Sequence, residues 1–138
     1  MEHGPIKLGM VVLMQHDLEK AVEFYKSLDL TVKFHLKDKW AEFDLGCVKL
    51  GLCPTEHKQE TIRTGVVLET FKDLHELYNK MKDQGIEFLM EPITKPHGVM
   101  VAFKDPGGNV LDLYQATPEK LEEFVKEQKE QKEQEDKK

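Results

Sequence analysis

One carboxylate in this chain stands where a charge is hard to keep. Asp112 lies in Val110-Leu111-Asp112-Leu113-Tyr114, with hydrocarbon on either side. A lone acid in an apolar wall is costly unless a cationic or hydrogen-bonding group meets it. The chemistry it offers is therefore recognition of an ammonium or a hydroxyl. No second titratable group is placed by the sequence to complete an acid–base mechanism with it, so no catalytic residue is assigned. Cys47 and Cys53 form a Cys-x5-Cys pair in an apolar stretch. That is too little for a structural zinc site, and a disulfide within one strand is geometrically awkward. Both read as free thiols of a reducing, cytoplasmic compartment. His3 and His57 fall in an N-terminal arm and a linker, His16 beside a helix start and His75 on a helix's polar side. All four read as surface positions, and His35 sits near a strand end.

The acid is carried by a hairpin. Val99–Phe103 and Val110–Tyr114 are short, β-branched and aromatic runs, the pattern of strands. Lys104-Asp105-Pro106-Gly107-Gly108-Asn109 joins them. Pro106 presets φ for a turn, and the two glycines take positive φ without a Cβ penalty.

Earlier in the chain, Lys7–Gln15 reads as a buried strand. Asp17 caps a helix whose apolar stripe is Leu18, Ala21, Val22, Tyr25 and Leu28. Asp29 ends it in the left-handed region. Thr31–Leu36, Trp40–Leu45 and Val48–Leu52 follow as strands, with Lys37-Asp38-Lys39 as a turn and Gly46 between the last two. The order is β-α-β-β-β. The second half repeats it: Asp73-Leu74 matches Asp17-Leu18 at an offset of 56 residues, and Gly85-Ile86 matches Asp29-Leu30. Thr64–Thr70 is its first strand, and Leu74, Leu77, Tyr78 and Met81 are its helix stripe. Glu87–Met90 is a strand, Pro92–Pro96 a loop, and the hairpin closes the unit. Module one covers about 6–53, a polar linker 54–63, and module two about 64–115, all within one domain over 1–116. Residues 117–138 form a charged C-terminal helix or tail. Thr117 caps it, Pro118 takes its first position, and Leu121, Phe124 and Val125 give a short apolar stripe.

Composition narrows the function classes. The chain has 138 residues, 39% hydrophobic and 33% charged, with a net charge of −6. An acidic balance argues against nucleic acid and anionic membrane as partners. No run of about 18 apolar residues exists to span a bilayer, and Met-Glu-His-Gly-Pro lacks the plan of a signal peptide.

The closing hairpin, Asp105-Pro106-Gly107-Gly108-Asn109-Val110-Leu111-Asp112-Leu113, resembles that of the vicinal-oxygen-chelate superfamily of glyoxalases, extradiol dioxygenases and fosfomycin- and bleomycin-resistance proteins. The paired βαβββ modules, over roughly Ile6 to Gln115, resemble it too. The resemblance implies an α+β fold in which two βαβββ modules form an open, cupped mixed-sheet barrel. The helices lie outside, and a C-terminal helix is added. It also implies a homodimer, as many relatives pair modules across subunits.

In metal-using relatives a Glu stands where Asp112 stands here. The other ligand places, counted back from Asp17 and Asp73 and aligned across modules, fall on Met10, Val66 and Leu50. Zinc, nickel, manganese or iron(II) needs about three donors of imidazole, carboxylate or amide type. Hydrocarbon offers none and a thioether suits copper(I), so the expectation is no metal and no cofactor. No histidine falls on a strand position expected to face the cavity centre.

What the resemblance leaves is a concave pocket with apolar walls. Period two puts Met10, Val12 and Met14 on one face, with Val66 and Leu68 in module two and Val110, Asp112 and Tyr114 on the closing strand. Val11, Leu13, Val67, Leu111 and Leu113 are expected to pack on the helices. Trp40 offers a stacking wall, and His97, just before the hairpin, a gate or ligand contact at the cavity mouth. The expected ligand-binding set is thus Asp112, Met10, Val12, Met14, Val66, Leu68, Trp40, His97 and Tyr114, acting on a small, partly apolar molecule. Two other readings stand beside this glyoxalase- or bleomycin-resistance-like binder. One is a divalent-metal-dependent lyase, isomerase or dioxygenase of the superfamily. The other is a non-catalytic interaction module whose cavity is filled by its own side chains.

Overall fold

A computed structural model describes residues 4–58 and 60–136; within the last helix, the side chains of residues 118–122 and 124 lie outside that description. His3 and the side chains of Leu121 and Phe124 lie outside the described residues. The chain divides into two units, Met1–Arg63 with Asp105–Asn109, and Thr64–Lys104 with Val110–Lys138.

The first unit runs β1 (Met10–Gln15), α1 (Leu18–Ser27), β2 (Thr31–Leu36), β3 (Trp40–Asp44) and β4 (Lys49–Pro54). The Asp17 carboxylate accepts from the Lys20 amide at 3.1 Å and starts α1, while Asp29 takes φ 63° just past its end. The sheet order is β1-β4-β3-β2. β1 lies parallel to β4, with Leu13 opposite Leu52, and the other neighbours are antiparallel. Leu13, Ala41, Phe43, Leu50 and Leu52 bury one sheet face against Leu18, Ala21, Val22 and Tyr25 of α1. β1 begins at Met10 rather than Lys7: Lys7 to Gly9 are exposed, and Gly9 reaches β4 only through its carbonyl, which accepts from the Lys49 amide at 3.2 Å.

In the second unit the elements are β5 (Ile62–Glu69), α2 (Leu74–Asp83), β6 (Glu87–Phe88), β7 (Ile93–Lys95), β8 (Gly98–Lys104), β9 (Asn109–Ala116) and α3 (Pro118–Asp136). Here Asp73 caps α2 through the His75 amide at 2.9 Å, and Gly85 leaves the helix at φ 89°. The order β5-β9-β8-β6 repeats that of the first sheet. Phe103, Leu111, Val101 and Leu113 form its buried face, and Tyr78 of α2 meets Phe88 edge-on, ring centroids 4.6 Å apart.

Two expectations need correction. The expected loop over Pro92–Pro96 contains β7, which pairs antiparallel with β8 from Ile93↔Met100 to Lys95↔Gly98. Its three side chains are all exposed, so hydrophobic patterning carried no sign of it and backbone pairing alone makes it a strand. Val67, expected to pack on a helix, is 51% exposed; it alternates on β5 with the better covered Val66 and Leu68. No helix of the described residues is long and apolar enough to cross a membrane.

Candidate functional site

In the first unit the sheet face away from α1 gathers four of the expected residues. Val12 lies opposite Gly51, and Gly51 opposite Glu42. Met14 lies opposite Cys53. Paired residues share a face, and this one leaves Val12 44% and Met14 39% exposed. Gly51 shows why Trp40 and Met10 reach the same spot. A Cβ there would stand 2.8 Å from Cζ2 of Trp40 and 2.9 Å from Sδ of Met10, so the indole and the thioether both lie over a strand position that has no side chain. The Trp40 indole N–H donates to Glu42 Oε1 at 3.1 Å. Phe34, opposite Glu42, and Leu36, opposite Trp40, extend the face with exposed hydrocarbon. Sequence reasoning missed Glu42, Phe34 and Leu36 as members of this surface. The alternation Trp40, Glu42 was visible, but the sheet partners were not.

In the second unit, β8 and β9 present Asp112 opposite Ala102 and Tyr114 opposite Met100, on the face away from Phe103 and Leu111. Asp112 Oδ1 is buried and accepts no hydrogen bond. His97 Nδ1 lies 2.9 Å from the Tyr114 hydroxyl, which donates to the His97 carbonyl at 3.0 Å. Gly98 makes room for this: a Cβ there would meet the Tyr114 ring at 2.9 Å and the Gln115 carbonyl. Val66 and Leu68 lie on β5, which borders β9 through a Thr64 Oγ1–H bond to the Val110 carbonyl at 2.7 Å. The expected residues thus fall into two sets. Met10, Val12, Met14 and Trp40 belong to the first unit, and Val66, Leu68, His97, Asp112 and Tyr114 to the second.

Two other described histidines have surroundings of their own. His35 Nε2–H donates to Glu19 Oε2 at 2.7 Å, and this bond holds the Glu19 carboxyl below its ordinary range. His16 lines a separate surface pocket of about 320 Å³ with Asp17, Leu18, Asp38 and Pro54; its Asp17 is already occupied as a helix cap.

The ligand places implied by the resemblance can now be tested for a metal. Leu50 faces the helix core, opposite Phe43 and Val11, so the residue on the open face of β4 is Gly51. A register error of one residue turns a strand position to the other face. In the first unit these places hold a thioether (Met10) and a glycine (Gly51), and in the second a hydrocarbon (Val66) and one carboxylate (Asp112); neither pair offers the donors a divalent cation needs. Among the described residues no three His, Cys, Asp or Glu side chains converge on one point.

Residues 7–113 match the family model of the Glyoxalase/Bleomycin resistance protein/Dioxygenase superfamily. The structure is similar to that of a lactoylglutathione lyase from Agrobacterium tumefaciens, with a TM-score of 0.65, 16% identity and coverage of 80% of this chain and 94% of that one. It is similar to TnmS3, an antibiotic binding protein from Streptomyces sp. CB03234, with a TM-score of 0.65, 21% identity and coverage of 84% and 100%. A superfamily member from Sphaerobacter thermophilus superposes with a TM-score of 0.67 at 21% identity over 80% and 97%. These neighbours share the fold. In sequence, 51 residues are 43% identical to the Bacillus subtilis protein YetH, a match spanning 37% of this chain and 42% of the relative's length.

Proposed function

We propose, from the premise that this chain belongs to the Glyoxalase/Bleomycin resistance protein/Dioxygenase superfamily, that it binds a small, partly apolar molecule without a metal, Asp112 meeting a cationic or hydroxyl group on it. The observation that carries this reading is the buried, unpartnered Oδ1 of Asp112. A buried acceptor left without a donor costs about 1–3 kcal/mol, more when charged, and a donor that arrives with the ligand recovers that cost. In the unit that holds Asp112, Val66, Leu68 and Met100 offer hydrocarbon to the apolar part of the ligand; in the other unit Trp40, Met10, Val12 and Met14 form an open face of their own. Methionine adapts to ligand shape, and the Trp40 face suits a flat ring.

The antibiotic-binding neighbour is consistent with this reading, and the lyase neighbour with the enzymatic alternative. The donor set favours the first, because the metal-dependent chemistry needs ligands that Gly51 and Val66 lack. The protein works in the reducing cytoplasm, in keeping with its two free cysteines. It works as a homodimer, for which Phe71, 98% exposed, provides apolar surface to cover. Its partner is the small molecule rather than nucleic acid or membrane.

Thermal-shift screening with aromatic, amine and glycopeptide compounds tests the proposal. Compounds joining an amine or hydroxyl to an apolar body raise the melting temperature of the wild type and not of Asp112→Leu. A panel without any shift, or metal bound near one equivalent per chain in the purified protein, overturns it.

A further inference from the structure

The contact between His97 and Tyr114 fixes more than a ring position. The tyrosine hydroxyl has one proton. It is given to the His97 carbonyl at 3.0 Å, an oxygen that accepts only and that also takes the Thr117 amide at 2.9 Å. The hydroxyl oxygen can then only accept from Nδ1 at 2.9 Å, so Nδ1 must carry hydrogen. In a neutral imidazole one nitrogen donates and the other accepts. We infer that Tyr114 locks His97 in its Nδ1–H tautomer, making Nε2 a fixed hydrogen-bond acceptor that reads a donor on the ligand.

This rests on the binding role proposed above and adds a second recognition point to it. Nε2 has no hydrogen-bond partner among the described residues, just as Asp112 Oδ1 has none. Asp112 and Tyr114 are alternate residues on one face of β9, about 7 Å apart along the strand. The hydrocarbon beside them comes from Met100, which pairs with both Tyr114 and Ile93. Both unpartnered polar groups are acceptors. The ligand class that fits is an aromatic amine carrying a second donor at its far end: the ammonium on Asp112, the ring over Met100, a hydroxyl on Nε2. Gly98 belongs to the same device, since any side chain there displaces the Tyr114 ring.

The tautomer is read in the ligand-free protein by ¹⁵N NMR of the imidazole at about pH 8.5, where an ordinary histidine is neutral. The expected result is hydrogen on Nδ1, and in Tyr114→Phe a ring with Nε2–H populated. A wild-type ring carrying hydrogen on Nε2 overturns the inference. Recognition is read with tyramine and phenethylamine, which differ only by the hydroxyl. Tyramine is expected to bind the wild type about tenfold more tightly, about 1.4 kcal/mol, and to lose that advantage in Tyr114→Phe and in His97→Phe. Equal affinity of the two amines for the wild type overturns the acceptor role and leaves the binding role intact. If neither amine perturbs the Asp112 resonances, the amine-binding reading falls, while the tautomer measurement still decides the lock.

Discussion

Asp105 and Asp112 lie seven residues apart around one hairpin, and they live opposite lives. Asp105 is 4% exposed and fully partnered. Its Oδ2 accepts from Gln15 Nε2 and from the Tyr25 hydroxyl, each at 2.7 Å, and its Oδ1 from the amides of Gly107 at 2.9 Å and Asn109 at 3.0 Å. The Asn109 side-chain amide adds a further donor and also ties Met14's carbonyl at 2.9 Å. Because the carboxylate only accepts, Gln15 must turn its amide nitrogen toward it, which leaves Gln15 Oε1 against Gly107 without a partner. Asp112, by contrast, has a buried oxygen that nothing meets. One acid is spent on holding the fold, and the other keeps an open acceptor, which we propose a ligand meets. Asp105 is buried whole and Asp112 only half-buried, but it is their partners that set them apart.

Breaking the two acids separates these roles. Asp105→Ala removes the acceptor of five donors and strands them, so urea denaturation should show a loss of about 3–5 kcal/mol. Asp112→Leu removes an orphan and adds hydrocarbon. It should be neutral or stabilising by about 1 kcal/mol while abolishing the ligand response. A comparable loss of stability in both variants would erase the distinction.

Tyr25→Phe sharpens the comparison from the other side. It takes one donor from Asp105 and should cost about 1–3 kcal/mol. Burial, reinforced by the neighbouring carboxylate, raises the Tyr25 hydroxyl well above its ordinary value near 10. The folded chain therefore holds this proton where the unfolded chain has released it. The stability from Tyr25 is complete below pH 10 and declines as pH climbs past it. Alkaline denaturation should show that decline in the wild type and a flatter profile in Tyr25→Phe.

Gly98→Ala addresses the Asp112 side of the hairpin. The added methyl meets the Gln115 carbonyl and the Tyr114 ring, at a cost of about 1–3 kcal/mol for overpacking, and it should release the His97 tautomer in the same NMR measurement. The smallest effect belongs to the His35–Glu19 pair. The lowered carboxyl of Glu19 contributes stability that is present at neutral pH and lost as pH falls below its ordinary value of 4.5. An acid titration of His35→Ala should lack that loss, by a margin small enough to need calorimetry.

Much of the fold was legible in the residues. The helix starts at Asp17 and Asp73 follow from capping by short acids, and α1 and α2 run over equivalent residues 56 positions apart, as the repeat required. Asp29 and Gly85 hold the expected positive φ. The site was legible only in part. Period two placed Met10, Val12 and Met14 on one face, but the aligned register put Leu50 where Gly51 stands. The contacts of Asp105 were hidden because Gln15 and Tyr25 are 90 and 80 residues away in sequence. Tyr25 already had a sufficient role in the helix stripe.

By itself, then, the sequence determined local matters: where helices begin and end, which runs are strands, and that the plan repeats. These follow from each residue's own backbone preferences and from apolar spacing, which act over a few positions. Tertiary structure alone decided which of two acids is satisfied, which side of β4 faces outward, and which histidine nitrogen keeps its lone pair. Each of these depends on a donor or a strand brought in from far along the chain, and no local spacing encodes that distance.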